Sequence, residues 1–159
     1  MKRIRAVVLL AAVTVFGALA QTTSTTASST RDLGLTGLAA TETAQVFVVN
    51  TAQASSSGTA ASCVGSLSFT NAAGTAIGTA TSFTLGTGQS ASAALPYAQA
   101  GQSGRAEIRA QLTLTRTPGS NTPCQLRTLF ETFDTTTGAT HVHLDSGQEV
   151  VAGFGGPGR

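Results

Sequence analysis

An all-β chain, folded as one antiparallel sandwich of seven to eight short strands, is predicted by three observations. Threonine occurs 26 times among the 139 residues from Gln21 onward, and β-branched side chains suit a pleated, half-buried surface. Apolar and polar residues alternate with period two in run after run, which is the spacing of a strand with one buried face. Clusters of Gly, Asn and Pro separate these runs at short intervals, as hairpin turns require.

Each strand has its own warrant. Leu35–Leu38 supplies a short first strand, and QVFVVN (45–50) is apolar enough to be central. CVGSLSFT (63–70) places Cys63, Leu67 and Phe69 on one side. Asn71-Ala72-Ala73-Gly74 then turns into 77–85, where Ile77, Phe83 and Leu85 are in phase. Gly86-Thr87-Gly88-Gln89 leads to 90–95, a weak strand of Ala and Ser suited to an edge. The clearest pattern is RAEIRAQLTL (105–114). Ala106, Ile108, Ala110, Leu112 and Leu114 take one face, and Arg105, Glu107, Arg109 and Gln111 take the other. A helix would scatter those charges around its circumference. Pro118-Gly119-Ser120-Asn121 marks a loop before 124–133, and DTTTG (134–138) connects tightly into a last strand at 139–144. Runs of this kind without a helix pack as two sheets face to face.

One strand is ambiguous. In LRTLFETFD, Leu129 and Phe133 share a face with Glu131, whereas Phe130 goes with Leu126 and Thr132. Either one side is the outer face, or a bulge resets the phase.

The ends are different in kind. Lys2, Arg3 and Arg5 precede an apolar run from Ala6 to Phe16, and Gly17-Ala18-Leu19-Ala20 offers small residues for cleavage before Gln21. That order is a secretory signal peptide, residues 1–20. The apolar run falls short of the ~20 residues a spanning helix needs. Residues 21–32 form a Thr/Ser-rich lead-in expected to be disordered, residues 33–144 the sandwich domain, and residues 145–159 a flexible Gly-rich tail. The protein is thus expected to be exported, periplasmic or extracellular, with no membrane span after cleavage.

Removing the leader changes the charge. Residues 21–159 keep six arginines, no lysine and seven acids, a net charge of −1 against +2 for the whole chain. A Lys/Arg footprint for nucleic acid is missing. Two cysteines remain, Cys63 and Cys124, and an even count in an oxidising compartment reads as a disulfide. The bridge would close a loop of about 60 residues, for which chain entropy assigns roughly 4 kcal/mol.

Taken together, AQVFVVN (44–50), CVGSLSFTNAAGTAIG (63–78), FTLGTGQSASAAL (83–95), GRAEIRAQL (104–112) and CQLRTLFETFDTTTGAT (124–140) resemble a family of small exported bacterial proteins. Those have an Ig-like sandwich, two cysteines and an ending of the form FD-x-x-TG-x-T. The resemblance implies an Ig-like fold and an exported location, and no activity. The chain is also loosely similar to adhesion-related Ig-like modules of bacterial surfaces. It departs from the family's pattern at His141 and His143, where apolar or small residues are expected.

Those histidines raise the one question of chemistry. THVHLD (140–145) spaces His141, His143 and Asp145 at every second position, so an unbroken strand would put all three on one face. His-x-His pairs bind transition metals, and a metal-binding or metal-dependent protein is the alternative reading. Against it, no further histidine exists, and polar strand faces are ordinary in antiparallel sheets. The expectation is therefore a polar face and no cofactor. Nucleophilic catalysis finds no G-x-S-x-G elbow; Gly88-Gln89-Ser90-Ala91-Ser92 lacks its last glycine. No pair of the scattered acids is marked out for glycoside chemistry. One Tyr and no Trp supply a poor platform for sugar stacking. The reading is a non-enzymatic module with a binding or structural role. Its protein or surface partner is unknown and would meet loops or edge strands. The longest loops are Thr51–Ser62 and Pro96–Gly104, with Tyr97 as an anchor in the second.

Overall fold

Strands form where the alternation places them, and at both ends they run further. The computed structural model describes residues 26–53, 62–116 and 124–151, and for residues 143 and 145–151 the backbone alone. In order these are β1 (Ala27–Leu38), β2 (Glu42–Asn50), β3 (Cys63–Asn71), β4 (Ala76–Leu85), β5 (Ser90–Pro96), a short 3-10 turn Tyr97–Gln99, β6 (Ala106–Arg116), β7 (Cys124–Asp134) and β8 (Thr140–Val151). They make two four-stranded sheets, β1-β6-β3-β4 and β5-β2-β7-β8, in which all the pairings are antiparallel. The leader 1–20, the tip of the Thr51–Ser62 loop and residues 152–159 lie outside the described residues.

The two inner faces build the core. Leu67 and Phe69 of β3 and Ile108 and Leu112 of β6 meet Val46 and Val48 of β2 and Leu126 and Phe130 of β7, all nearly or wholly inaccessible to solvent. Phe69 and Phe130 join the sheets directly, with ring centroids 6.4 Å apart and planes tilted by 49°. Each such side chain contributes about 1.5–3 kcal/mol by leaving water. On the other face of β6, Gln111 Nε2 donates to Asp32 Oδ1 (2.8 Å) and Arg109 lies 4.0 Å from Asp32 Oδ2.

A disulfide joins Cys63 at the start of β3 to Cys124 at the start of β7. It therefore ties the middle of one sheet to the middle of the other. At the same end, Asn50 closes β2 with a fully buried amide that donates to Leu85 O (3.0 Å) and accepts from Ala52 N (3.0 Å). At the opposite end the β7–β8 hairpin is organised by Asp134, whose Oδ1 accepts from the N–H groups of Thr136 and Thr137. The Thr137 N–H, reinforced by the Thr41 and Thr137 hydroxyls and the Thr136 N–H, lowers the Asp134 carboxyl to about 2. Gly138, at φ 72°, completes the turn in a conformation few other residues adopt.

Two expected boundaries are corrected. The lead-in 21–32 is not disordered throughout, because β1 begins at Ala27 and pairs with β6 from Ala27↔Arg116 onward. The tail expected from 145 instead continues β8 to Val151, paired with β7 as far as Cys124↔Val151. In both places a polar segment is held by the backbone ladder of its neighbour. An edge strand needs no apolar face of its own for that.

Candidate functional site

The chemistry-bearing residues converge at the end of the sandwich remote from the disulfide. Glu42 opens β2 in phase with Ala44, Val46 and Val48, so its carboxylate points inward and is only 8% exposed. It is held from two sides. Oε2 accepts the Ala39 N–H at 2.7 Å, closing the β1–β2 turn, and Oε1 is bonded to His141 Nδ1. Burial raises the Glu42 pKa, but the Ala39 N–H, the His141 ring and the nearby charge of Arg105 outweigh it and hold the carboxyl below its ordinary value. An ionised carboxylate only accepts, so His141 Nδ1 is the donor in this bond.

His141 reaches Glu42 because the last ladder is irregular. Thr132 pairs with Val142 and Phe133 with Thr140, which leaves His141 as an extra residue in β8. Such a bulge turns two successive side chains toward one side, and His141 and Val142 both line the same cleft as Thr132. His143 and Asp145 stand beyond the bulge, opposite Glu131 and Leu129 in the ladder. The single alternating phase expected for His141, His143 and Asp145 is therefore interrupted at its first member. No group of three or more His, Cys, Asp or Glu able to hold a metal occurs among the described residues. The side chains of His143 and Asp145 are not among them.

The cleft has a volume of about 590 Å³, and Gly37, Glu42, Tyr97, Arg105, Thr132 and His141 are among its walls. Arg105 stands at its margin above Gly37. A methyl group on Gly37 would lie 1.8 Å from Arg105 Nε, so the glycine is what lets the guanidinium settle there. Thr132 is fully buried, and its hydroxyl has no hydrogen-bond partner among the described residues. A buried polar group left so costs about 1–3 kcal/mol. Tyr97, expected as an anchor for a partner, has its hydroxyl engaged within its own loop by Gln102 O (3.0 Å) and Gly104 O.

Glu42, Arg105 and Thr132 were not singled out by sequence reasoning, although two of them carried a signal. Glu42 is a charge in phase with the core residues of its strand, and Thr132 is a hydroxyl in phase with Leu126 and Phe130. A polar group at such a position needs a partner. Arg105 carried none, since it sits on the polar face of its run. Among the described residues, no helix is long and apolar enough to cross a membrane. The chain matches no protein family, no curated protein and no solved structure in the comparisons made.

Proposed function

We propose that this protein is an exported, non-enzymatic binding module that holds a small ligand in the cleft between Glu42, Arg105, Thr132 and His141. The carrying observation is the cleft of about 590 Å³ itself, walled by the inward-facing Glu42, its bonded partner His141 and Arg105. The Glu42–His141 pair resembles the base half of a catalytic triad, but among the described residues neither Ser nor Cys lines the cleft to serve as its nucleophile. Holding a ligand needs no such group. Export rests on the leader and accords with the Cys63–Cys124 bridge, since disulfides persist in oxidising compartments.

The test uses the mature chain recovered from the exported fraction of a bacterial host, with its N-terminus expected at Gln21. Saturation-transfer NMR against a panel of small polar metabolites should mark a subset as bound. Those compounds should be recovered chemically unchanged after prolonged incubation. Turnover of any of them overturns the non-enzymatic reading, and retention of the uncleaved chain in the cytoplasm overturns export.

One observation favours the metal alternative. Metal-ligating imidazoles characteristically give their other ring N–H to a carboxylate, as His141 does to Glu42. Calorimetric titration of Zn²⁺ should nevertheless give micromolar or weaker binding, because two imidazoles alone make an incomplete site. Nanomolar, stoichiometric binding that disappears in a His141→Ala/His143→Ala double variant would establish the metal reading instead.

A further inference from the structure

We infer that the outer face of the β5-β2-β7-β8 sheet is the interface of a symmetric homodimer, with Phe47 and Leu129 at its centre. The inference is independent of the cleft, so either can fail alone. It begins with an asymmetry between the two outer faces. On the β1-β6-β3-β4 sheet the outward side chains are polar: Thr30 bonds to Thr113, and Gln111 bonds to Asp32 beside Arg109. An antiparallel sheet facing water has that composition. On the other sheet, Phe47 and Val49 of β2 and Leu129 and Phe133 of β7 alternate with the buried positions and so point outward. All four are half-buried, yet none belongs to the core or packs against it. Phe47 and Leu129 are direct partners in the β2–β7 ladder, with Val49 beside them. Single exposed apolar groups are ordinary, whereas a contiguous patch on one face marks a contact surface.

The charges around the patch select a second copy of this chain as its occupant. On β7, Arg127 and Glu131 lie two residues to either side of Leu129, on the same face. Four residues apart on one strand, roughly 13 Å, they are too distant to meet each other. A twofold axis lying in the interface, across the strands along the Phe47–Leu129 row, sets β7 antiparallel over β7 of the other copy. Arg127 of each copy then faces Glu131 of the other, and Phe47 and Leu129 meet their own equivalents. Such self-complementarity is what an isologous interface requires. Sheets stacked in this way lie ~10 Å apart with their strands within about 30° of alignment, as within one sandwich. The area is sufficient. Four strands ~4.8 Å apart and ~30 Å long offer roughly 600 Å² per copy. About 1,200 Å² is then buried in all, at the low end for a specific interface. A dissociation constant of about 10–100 µM is therefore expected. Below about 1 µM the chain is a monomer with Leu129 open to water.

Sedimentation equilibrium of the mature, disulfide-bonded protein, from about 1 to about 500 µM, should show a monomer–dimer equilibrium. Leu129→Gln should weaken the dimer at least about tenfold while leaving the strand signal in circular dichroism unchanged. Arg127→Glu and Glu131→Arg should each weaken it similarly, because each sets like charges face to face at two places. Mixing those two variants in equal amounts should restore a dimer, since every charge then meets its opposite. Misfolding cannot produce that rescue. Arg109→Gln, on the outer face of the other sheet, should change nothing. A monomer alone up to about 500 µM overturns the inference. So does a dimer indifferent to Leu129→Gln, which would be joined through edge strands instead. Loss of the dimer in both charge variants without rescue on mixing overturns the twofold arrangement and the inference with it.

Discussion

Replacing Cys63 and Cys124 together with alanine is expected to lower the unfolding free energy by about 2–4 kcal/mol while leaving the strand content intact. Two features set the size of the loss. The bridge closes a separation of 61 residues, so its removal returns much conformational freedom to the unfolded chain. It also joins β3 and β7, inner strands of opposite sheets, and Cys63 is itself almost fully buried. A domain of this size holds only ~5–15 kcal/mol in all, so the double variant should unfold at a clearly lower denaturant concentration. Chemical denaturation of the wild type with and without reductant should show the same difference, and non-reducing peptide mapping should recover one Cys63–Cys124 pair. Equal midpoints for the reduced and oxidised protein would mean that the bridge does not stabilise this fold.

How much of the molecule was legible depends on what holds each part. Strands β2 and β6 were legible because the core imposes a strict alternation on them, and a period of two is visible in any sequence. The beginning of β1 and the end of β8 were not. The first residues of β1 are mostly exposed, and the backbone ladder of a neighbour holds both segments in place. Ser and Thr give no apolar signal of that. At the site, the residue types were visible but their meeting was not. THVHLD announces two imidazoles, yet the bulge that sends His141 to Glu42 depends on how the β7–β8 ladder is closed. Glu42 and His141 are 99 residues apart, and only the fold brings them together.

The ambiguous strand yields the sharpest remaining test. In β7 the structure buries Leu126, Thr128, Phe130 and Thr132, and leaves Leu129, Glu131 and Phe133 half-covered on the outer face. Both faces carry large apolar groups because the outer side pairs Leu129 with Phe47 and Phe133 with Thr43 across β2. The β2–β7 register runs without a break, so no bulge resets the phase on that side. Phe130 should therefore matter far more than the residue beside it. Phe130→Ala is expected to cost about 3–5 kcal/mol, since it removes a buried ring and leaves a cavity, and it also ends the contact with Phe69 across the sheets. Leu129→Ala, at a position still open to water, should cost less than half as much. Urea unfolding of the two variants with the disulfide intact measures both losses. Equal losses, or a larger one for Leu129→Ala, would place the core on the other face of β7 and move Thr132 out of the cleft.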